Sequence, residues 1–361
     1  MTVTQATKAK PIEGPSAWIG DDMAADQRWT FPLAADELAE IDAALARVRE
    51  KSIHWEALVR ADFPLPRLQP KLDALAGELE SGRGIARLTG LPVARYSEDD
   101  LRLIWMGIGC ALGQPLHQDF RGQLMRDIRD TGRDVDAEYG HQMRDKSGQA
   151  FVSSKARTLS NGPLRFHNDR CDVVALFCIR AARKGGANRI ASTAGVHNVI
   201  LHRRPDLLVI LYAPLVRSRL GEEQGGEAMT YALPVFGMED GKLTSHYSRT
   251  YIEAAQEMPE VPPLSAETWA AIDMLQSVSD EISYEFSQAP GDMTFFNNHA
   301  VYHARAAFED APGTSSERLL MRLWLSMPNS RALPADHAVL WGNVAAGARR
   351  GGIGLAADAQ P

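Results

Sequence analysis

The residue types best suited to metal chemistry lie in two segments that are far apart in the chain. The first segment contains His167 and Asp169, and the second contains His299 and His303. Two imidazoles and one carboxylate on one face of an iron ion leave the opposite face open, which is the ligand set of non-haem Fe(II) oxygenases. The open positions are where a co-substrate and dioxygen bind. The two segments together therefore predict an iron centre.

The His-x-Asp pattern alone is weak evidence, because a histidine close to an acid arises often by chance. Residues i and i+2 of a strand point to the same side, so His167 and Asp169 can bind one ion if residues 164–169 are extended. The flanking sequence favours this arrangement, with a turn signal at Asn161-Gly162-Pro163 and a β-rich apolar run at residues 173–179. We therefore expect a strand that ends at the two side chains.

The distal histidines follow two predicted strands. Residues 282–286 alternate as a strand does, and residues 293–296 form a short apolar run after the turn signal Pro290-Gly291-Asp292. His299 and His303 both come after this run. Since residues four apart can share a face, either histidine could reach the ion, and the residues alone leave the choice open.

Two arginines lie in a segment that is typical of a buried strand, residues 317–325. Arg318 and Arg322 have the same parity, so both face the same side of that strand. Two inward guanidiniums are costly without an anion, and one interpretation is a dicarboxylate site, since a guanidinium binds a carboxylate through two parallel hydrogen bonds. The other interpretation is a pair of surface arginines opposite Glu309 and Asp310.

In order and spacing, these segments resemble the taurine/2-oxoglutarate dioxygenase (TauD/TfdA-like) family, which includes enzymes similar to clavaminate synthase. The resemblance covers about residues 164–334, with a looser match at residues 84–115. It rests on Phe166-His167-Asn168-Asp169, on Lys184-Gly185-Gly186-Ala187-Asn188 with Ser192-Thr193, on Gly291–Asn298 leading to His303-Ala304-Arg305, and on Arg318–Arg322. It implies a mainly β fold with surrounding helices, built as a double-stranded β-helix, or jelly roll.

The resemblance also implies roles for single residues. Fe(II) would be held by His167, Asp169 and His303, so that His303 is preferred over His299. Related halogenases lack the carboxylate so that chloride can bind, and the presence of Asp169 therefore favours hydroxylation, desaturation or ring formation.

A second group of residues would hold the co-substrate 2-oxoglutarate. In the family, the first arginine of the late strand binds the far carboxylate, and the second lies near the substrate or the C1 carboxylate; here these are Arg318 and Arg322. A family threonine or serine that helps to hold 2-oxoglutarate is replaced by Asn188, whose amide can donate a hydrogen bond, and Thr193 is a nearby alternative.

The implied reaction uses 2-oxoglutarate and dioxygen as co-substrates and releases succinate and carbon dioxide. It oxidises an unactivated C–H bond of the substrate, and hydroxylation is the outcome that we expect first. Arg322, with Arg126 or Arg249, suggests a small substrate that is anionic or amino-acid-like. Two alternatives stay open. One is a non-catalytic jelly-roll protein that binds a small dicarboxylate or a partner, and the other is a zinc-dependent enzyme.

Composition excludes several other classes. The 361 residues are 45% hydrophobic, enough for a sizeable core, and the net charge of −7 argues against nucleic-acid binding. No apolar run is long enough to span a membrane, and the polar residues 1–16 do not resemble a secretory signal. Three cysteines without CxxC spacing predict a reduced, cytoplasmic protein. A homo-oligomer is compatible with the resemblance, because relatives often form dimers or tetramers.

We expect one domain at residues 24–341, between a flexible tail at 1–23 and a weakly ordered, Ala- and Gly-rich tail at 342–361. The polar segment 118–148 is either a surface loop or a lid over the site, to which Arg126 and Arg129 would bring charge.

Helical signals lie at residues 34–51, 68–82, 97–112, 192–206 and 262–279, and a hairpin signal lies at Asp240-Gly241. His197 and His202 are expected to be structural or exposed, and Arg249 and Tyr251 to be within reach of the pocket or merely packed.

Overall fold

The computed structural model describes residues 10–132, 158–220, 227–310 and 317–354. Its helices are α1 Gly20–Ala25, α2 Ala35–Glu50, α3 Gln69–Ser81, α4 Glu98–Leu112, α5 Thr193–Arg203, α6 Pro205–Leu211, α7 Arg249–Gln256, α8 Ala266–Glu281 and α9 Ala338–Trp341. Its strands are β1 Thr30–Pro32, β2 Ile85–Thr89, β3 Gln114–Pro115, β4 Met125–Ile128, β5 Leu164–His167, β6 Val173–Arg180, β7 Lys184–Gly185, β8 Asn188–Ser192, β9 Leu215–Ser218, β10 Thr230–Leu233, β11 Phe236–Glu239, β12 Lys242–Ser245, β13 Tyr284–Phe286, β14 Met293–Asn297, β15 Val301–Arg305, β16 Phe308–Glu309 and β17 Leu319–Ser326. Within these residues, no helix is both long and apolar enough to cross a bilayer.

The three predicted N-terminal helices are confirmed, because their local signals agree with their packing. The Ser97 hydroxyl accepts a hydrogen bond from the backbone N–H of Asp100, and the Asp100 carboxylate accepts one from the N–H of Ser97, which is the reciprocal arrangement of a capping box. Proline occupies the first turn of α3, where no intrahelical hydrogen bond needs its missing N–H. The apolar faces of α2, α3 and α4 join one core with the larger β-sheet.

Two sheets position the site. The larger sheet has the order β1–β2–β14–β6–β17–β3, with β4 also paired to β17, and the smaller sheet has the order β13–β8–β15–β5. From β5 onward the chain crosses repeatedly between them: β5 and β8 lie in the smaller sheet, β6 and β14 in the larger, then β15 in the smaller and β17 in the larger. Side chains of β5, β15 and β17 therefore meet in a cavity that residues of both sheets line.

Strand alternation decides which β17 side chains enter the space between the sheets. The odd-numbered residues Leu319, Met321 and Leu323 pack into the core that holds the N-terminal helices. The even-numbered residues Arg322 and Trp324 face the opposite side, where they line cavities. The prediction that Arg322 points inward is confirmed by its burial.

The second core lies under the smaller sheet, where α5, α6 and α8 pack against the hairpin β11–β12. The predicted hairpin is confirmed, and Asp240 and Gly241 both adopt positive φ angles in its turn. His197 is structural, as predicted: it is buried, and its Nε2 lies 3.0 Å from the Tyr212 hydroxyl. His202 is exposed.

The described parts of the two tails, predicted to be flexible at 1–23 and weakly ordered at 342–361, contain buried side chains. Trp18 and Met23 are buried, and the backbone N–H of Ile12 donates to Asn198 Oδ1 at 2.7 Å. In the C-terminal segment Ile353 and Arg350 are buried. Alanine and glycine content suggested weak order there, but single apolar and charged side chains fix the segment to the core.

Two further expectations differ from the structure. Ile282 follows the last turn of α8, so the strand expected at residues 282–286 is shortened to β13. In the polar segment expected at 118–148, Gln118 is fully buried and β4 pairs with β17, because its backbone completes the edge of the larger sheet. Residues 133–148, on which the lid interpretation mainly falls, lie outside the described residues.

A buried ion pair connects the C-terminal segment to the interior. Arg350 Nε donates to Asp172 Oδ1 at 2.7 Å, and the same oxygen lies 2.9 Å from His299 Nε2. Asp172 Oδ2 accepts from the backbone N–H of Met327 at 2.9 Å. Because Asp172 closely follows Asp169, these contacts also fix the loop that carries a candidate metal ligand.

We expect Arg350→Met to lower the free energy of unfolding by about 3 kcal/mol, because it leaves the Asp172 carboxylate buried with fewer donors. The measurement is a urea unfolding curve. Arg349→Met is the matched control, since Arg349 is exposed and its loss should cost less than about 0.5 kcal/mol. Equal unfolding midpoints for the two variants would contradict a stabilising role for the buried pair.

Candidate metal centre

Three side chains from two strands converge between the sheets. His167 ends β5, Asp169 follows it, and His303 lies in β15, where the antiparallel register pairs it directly with His167. The two imidazole centroids are 4.3 Å apart. Asp169 Oδ1 is 3.9 Å from His167 Nε2, and Asp169 Oδ2 is 3.8 Å from His303 Nε2. One ligand atom from each residue lies within 4.8 Å of the others, so the three groups are placed to share one ion.

Hydrogen bonds determine which imidazole nitrogen is available. His167 Nδ1 lies 2.8 Å from the carbonyl oxygen of Arg165, and because a carbonyl only accepts, Nδ1 carries the hydrogen and Nε2 keeps its lone pair. The His303 ring stacks on Phe296 with an interplanar angle of 6°. Asn168 points away from the ion position, since its side chain bonds the backbone of Val301 and Tyr247.

The candidate carboxylate is held by its neighbours. The backbone N–H of Asp169 donates to Asn298 Oδ1 at 3.0 Å. Trp324 Nε1 donates to Asp169 Oδ2 at 3.0 Å, and Arg322 Nη1 lies 3.4 Å from the same oxygen. Both donors lie at Oδ2, so Oδ1 receives neither of these two contacts. Outer contacts of this kind orient metal ligands.

Burial sets the protonation of the three groups. It lowers the pKa of His303 to about 3, with a further contribution from His167. It also lowers the pKa of His167, although Asp169 acts in the opposite direction. Burial alone would raise the pKa of Asp169, but the Arg322 guanidinium, the two imidazoles and the hydrogen bond from Trp324 together more than offset it, so that this pKa lies below its usual range. At neutral pH the site therefore presents two neutral imidazoles and one carboxylate, the forms that bind a metal.

His299, the alternative candidate for the second histidine ligand, lies outside the group formed by His167, Asp169 and His303. His299 Nε2 bonds Asp172, and its Nδ1 accepts from the Thr244 hydroxyl at 2.9 Å, so both ring nitrogens are occupied. Thr193, the alternative predicted contact for 2-oxoglutarate, also lies away from the triad. Its hydroxyl donates to the backbone oxygen of His299 at 3.3 Å, because Thr193 begins helix α5 and turns toward the preceding loop.

Two cavities flank the triad and share Thr158, His167, Asp169 and Arg322. The first, of about 460 Å³, is called the Arg318 lobe; its other lining residues are Ile128, Leu164, Val174, Leu176, Asn188, His303, Ala304, Arg305, Arg318 and Leu320. The second, of about 680 Å³, is called the Arg219 lobe; its other lining residues are Gln118, Asn168, Arg170, Ser218, Arg219, Tyr231, His246, Tyr251, Trp324 and Leu340.

Positive charge is concentrated in the Arg318 lobe. Arg318 and Arg305 each lie 4.9 Å from the centroid of the Phe308 ring, and both are buried. Burial lowers the pKa of Arg318 to about 10 and that of Arg305 to about 9, the latter helped by the charge of Arg318. Within the described residues Arg318 Nη1 has no hydrogen-bond partner, so this lobe is suited to an anion.

The remaining predicted residues are divided between the lobes and the surface. Asn188 lines the Arg318 lobe, with one amide hydrogen donated to Gln288 Oε1 at 2.9 Å. Tyr251 lines the Arg219 lobe. Arg126 is buried on β4 beside Arg322 but lines neither lobe, and Arg249 forms ion pairs with acids at the surface.

Sequence reasoning missed several residues at the site. Trp324 has the same parity as Arg322 on β17 and could have been found by extending the alternation. Gln118, which accepts from Arg322 Nε at 2.7 Å, stood in a polar segment without a periodic signal. Arg219 follows β9, and His246 follows the predicted hairpin without any motif.

The fold and the site define a class, the non-haem iron oxygenases, and the comparisons with known proteins agree. The sequence matches the family described as taurine catabolism dioxygenase TauD, TfdA family over residues 48–324, and the chain belongs to this family. It is accordingly a non-haem iron dioxygenase that uses Fe(II), 2-oxoglutarate and dioxygen.

Individual relatives show how far the similarity extends. FR-33289 synthase of Streptomyces rubellomurinus is 28% identical over 346 residues, which cover 93% of this chain and 97% of that protein. A structure of asparagine oxygenase with Fe(II), 2S,3S-3-hydroxyasparagine and succinate has 17% identity and a TM-score of 0.61, covering 89% of this chain and 100% of that chain. A structure of the oxygenase OrfP with Fe and alpha-ketoglutaric acid has 15% identity and a TM-score of 0.60, covering 82% and 93%. At these identities the two structures show a shared fold.

We expect His303→Ala to weaken metal binding by more than the roughly 10–100-fold that outer contacts contribute, because it removes a direct ligand. Anaerobic calorimetry with Fe(II) measures the dissociation constant. His299→Ala is the matched control, and its dissociation constant should stay within a few-fold of that of the unmodified protein. Loss of binding in His299→Ala with retention in His303→Ala would reverse the ligand assignment.

We also expect the metal-free protein to lose stability as the pH falls from about 6.5 toward 4. Burial lowers the pKa of His299 to about 4, although Asp172 opposes the shift. Below the unfolded-state pKa of about 6.5, the unfolded chain binds more protons, so the free energy of unfolding decreases with falling pH. Urea unfolding at pH 7.5 and 5 measures it, with about 2 kcal/mol expected from this residue. His299→Gln should flatten the dependence, and a steeper one would contradict this account.

Proposed function

We propose that this protein hydroxylates an unactivated C–H bond of a small anionic or amino-acid-like molecule, with release of succinate and carbon dioxide. The main support for this proposal is that the candidate triad and the buried Arg318 line the same cavity. Among the described residues, Arg318 Nη1 lacks a hydrogen-bond partner. A dicarboxylate that reaches the ion with one end can meet this guanidinium with the other.

The proposed metal ligands are His167, Asp169 and His303. Fe(II) bound there supplies the oxidative chemistry, as cofactors of this kind do, while the protein supplies position and shielding. The two imidazoles stay neutral through burial, and Trp324 with Asn298 holds the Asp169 carboxylate in place. The retained carboxylate supports hydroxylation rather than halogenation.

The proposed co-substrate site is the Arg318 lobe. Arg318 would bind the far carboxylate of 2-oxoglutarate, and Asn188 would offer its second amide hydrogen nearby. Arg322 lines both lobes and lies beside Asp169, so it would orient either the C1 carboxylate or the substrate. Thr193 is not retained in this proposal, because its hydroxyl is bonded to His299.

An amino-acid-like substrate is supported by what the structural neighbours hold. The asparagine oxygenase structure contains 3-hydroxyasparagine, and a structure of OrfP contains (3S)-hydroxy-L-arginine with succinate.

We propose that the fold is a jelly roll, because the chain crosses repeatedly between the two sheets. Cys110, Cys171 and Cys178 are free, which supports a reducing, cytoplasmic location.

The test is the visible charge-transfer band that forms when Fe(II) and then 2-oxoglutarate are added without oxygen. We expect this band in the unmodified protein, and we expect Arg318→Gln to need roughly 10–100-fold more 2-oxoglutarate, because it loses a charge-assisted hydrogen bond. Arg203→Gln is the control, since Arg203 forms an exposed ion pair with Glu281.

Each outcome of this test has a meaning. A band with the expected 2-oxoglutarate dependence would support the dioxygenase site and allow a substrate screen by succinate release. Absence of the band in folded, Fe(II)-loaded protein would contradict the proposal and favour a non-catalytic protein that binds a dicarboxylate.

A further inference from the structure

The Arg219 lobe has the chemistry of an oxyanion site. We propose that it binds a carboxylate, phosphonate, phosphate or sulfonate group of the substrate and disfavours a free ammonium group. This inference rests on the proposed function, because it takes the Arg318 lobe to be occupied by 2-oxoglutarate and the Arg219 lobe by the substrate. It narrows an amino-acid-like substrate to one whose nitrogen carries no positive charge in this lobe.

Arg219 is held rigidly and presents one unsatisfied nitrogen. Its side chain is only 6% exposed, its Nε donates to the carbonyl oxygen of Ala228 at 3.1 Å, and its Nη2 donates to that of Val339 at 3.0 Å. The guanidinium lies 4.9 Å from the centroid of the Tyr231 ring. Among the described residues Nη1 has no hydrogen-bond partner. A fixed guanidinium with a free donor is pre-organised for an anion.

A second arginine and one carboxylate lie beside it. Arg170 Nε donates to the carbonyl oxygen of Leu340 at 2.8 Å, so this guanidinium is oriented too. Glu227 Oε2 is 3.5 Å from Arg219 Nη1, and Glu227 Oε1 is 3.9 Å from Arg170 Nη2. Both distances exceed that of a good hydrogen bond. The two arginines thus already attract the Glu227 carboxylate, and a substrate oxyanion would compete with Glu227 for them.

His246 adds a neutral donor. Its Nδ1 lies 2.8 Å from Arg217 Nη1, and because a guanidinium only donates, Nδ1 accepts and Nε2 carries the hydrogen. Burial, together with the charge of Arg217 behind it, keeps the pKa of His246 well below its usual value. His246 therefore stays neutral and can donate a hydrogen bond through Nε2.

The lobe offers donors but hardly any acceptor for a cation. Of the described residues that line it, Asp169 is the one carboxylate, and it is a candidate metal ligand. Arg170, Arg219 and Arg322 all line the same space. An ammonium group placed there would be desolvated beside three guanidiniums, and the neighbouring acid Glu227 already faces two of them, so its binding is costly. An oxyanion placed there would instead be attracted by the guanidiniums and would accept hydrogen bonds from the donors of the lobe.

The experiment measures anion binding separately from turnover. Anaerobic protein loaded with Fe(II) and 2-oxoglutarate is titrated in a calorimeter with methylphosphonate, methanesulfonate, acetate and methylammonium. Arg318→Gln protein without metal or 2-oxoglutarate is titrated in parallel, so that the Arg219 lobe is tested even if the proposed co-substrate site fails. We expect the same single anion site in both samples and no binding of methylammonium; the strongest of the three anions identifies the oxyanion.

Two variants should shift the dissociation constant in opposite directions. Arg219→Gln should weaken anion binding by about 10-fold or more, because a charged donor is lost. Glu227→Gln should strengthen it roughly two- to fivefold, because the competing charge is removed. Arg203→Gln, at an exposed ion pair, should leave it unchanged. If Arg219→Gln does not fold by circular dichroism, Arg219→Lys and Glu227→Gln carry the test.

Any one of three results would overturn the proposal. The first is no anion binding in either sample, and the second is an unchanged dissociation constant in Glu227→Gln and in the arginine variant. The third is binding of methylammonium as tight as that of the anions. If the Fe(II)-loaded protein fails to bind 2-oxoglutarate while the Arg318→Gln sample still binds the anions, the proposed function fails and the oxyanion site stands.

Discussion

The candidate iron site depends on one pairing between strands, that of His167 on β5 with His303 on β15. The side chains of a strand alternate between its two faces, so a shift of one residue in this register would turn one imidazole away from the other. The register then changes through a bulge, and Arg305 pairs with Leu164. The extra residue of this shift lies on β5, whereas β15 continues regularly beside β8. Arg305 therefore faces the same side as His303 by strand alternation and lines the Arg318 lobe.

Polar contacts beneath the strands hold this geometry in place. Asn298 accepts from the backbone N–H of Asp169 and donates to the carbonyl oxygen of Cys171, so it bridges both ends of the ligand loop. Asp172 then connects that loop to His299 and to Arg350 of the C-terminal segment. Each of these groups is buried, so each depends on its partners, and the loop has few alternative positions.

The sequence allowed much of the site to be predicted, because its signals were local. The spacing of His167 and Asp169 on a strand, the parity of Arg318 and Arg322, and the capping residues of α4 all depend on neighbours in the chain. Choosing His303 over His299 required family resemblance, because their spacing allowed either. In the structure His303 lies beside His167 and Asp169, whereas His299 is bonded on both ring nitrogens.

Other features could not be predicted, because they depend on contacts between distant segments. Thr193 was placed near 2-oxoglutarate on sequence proximity, whereas the start of α5 turns it toward His299. The C-terminal segment was expected to be weakly ordered from its composition, whereas one buried ion pair, Arg350 with Asp172, outweighs that composition. The Arg219 lobe gathers Arg170, Arg219 and His246 from three separate segments, and no pattern along the chain indicates that they meet.

The ribbon that carries Arg219 has a wider consequence. Within the part of the chain that the structure describes, strands β9 and β10 form a two-stranded sheet of their own, apart from the sheets that hold the candidate ligands. One wall of the Arg219 lobe therefore lies outside the strand pairing that positions the candidate ligands, although Leu215 of β9 packs in the same core as Phe166 and Ala304. Substitutions in this ribbon can remodel what the lobe accepts while the histidine pairing stays intact. Single substitutions at the lobe-facing residues of this ribbon can therefore alter substrate range without altering the iron chemistry.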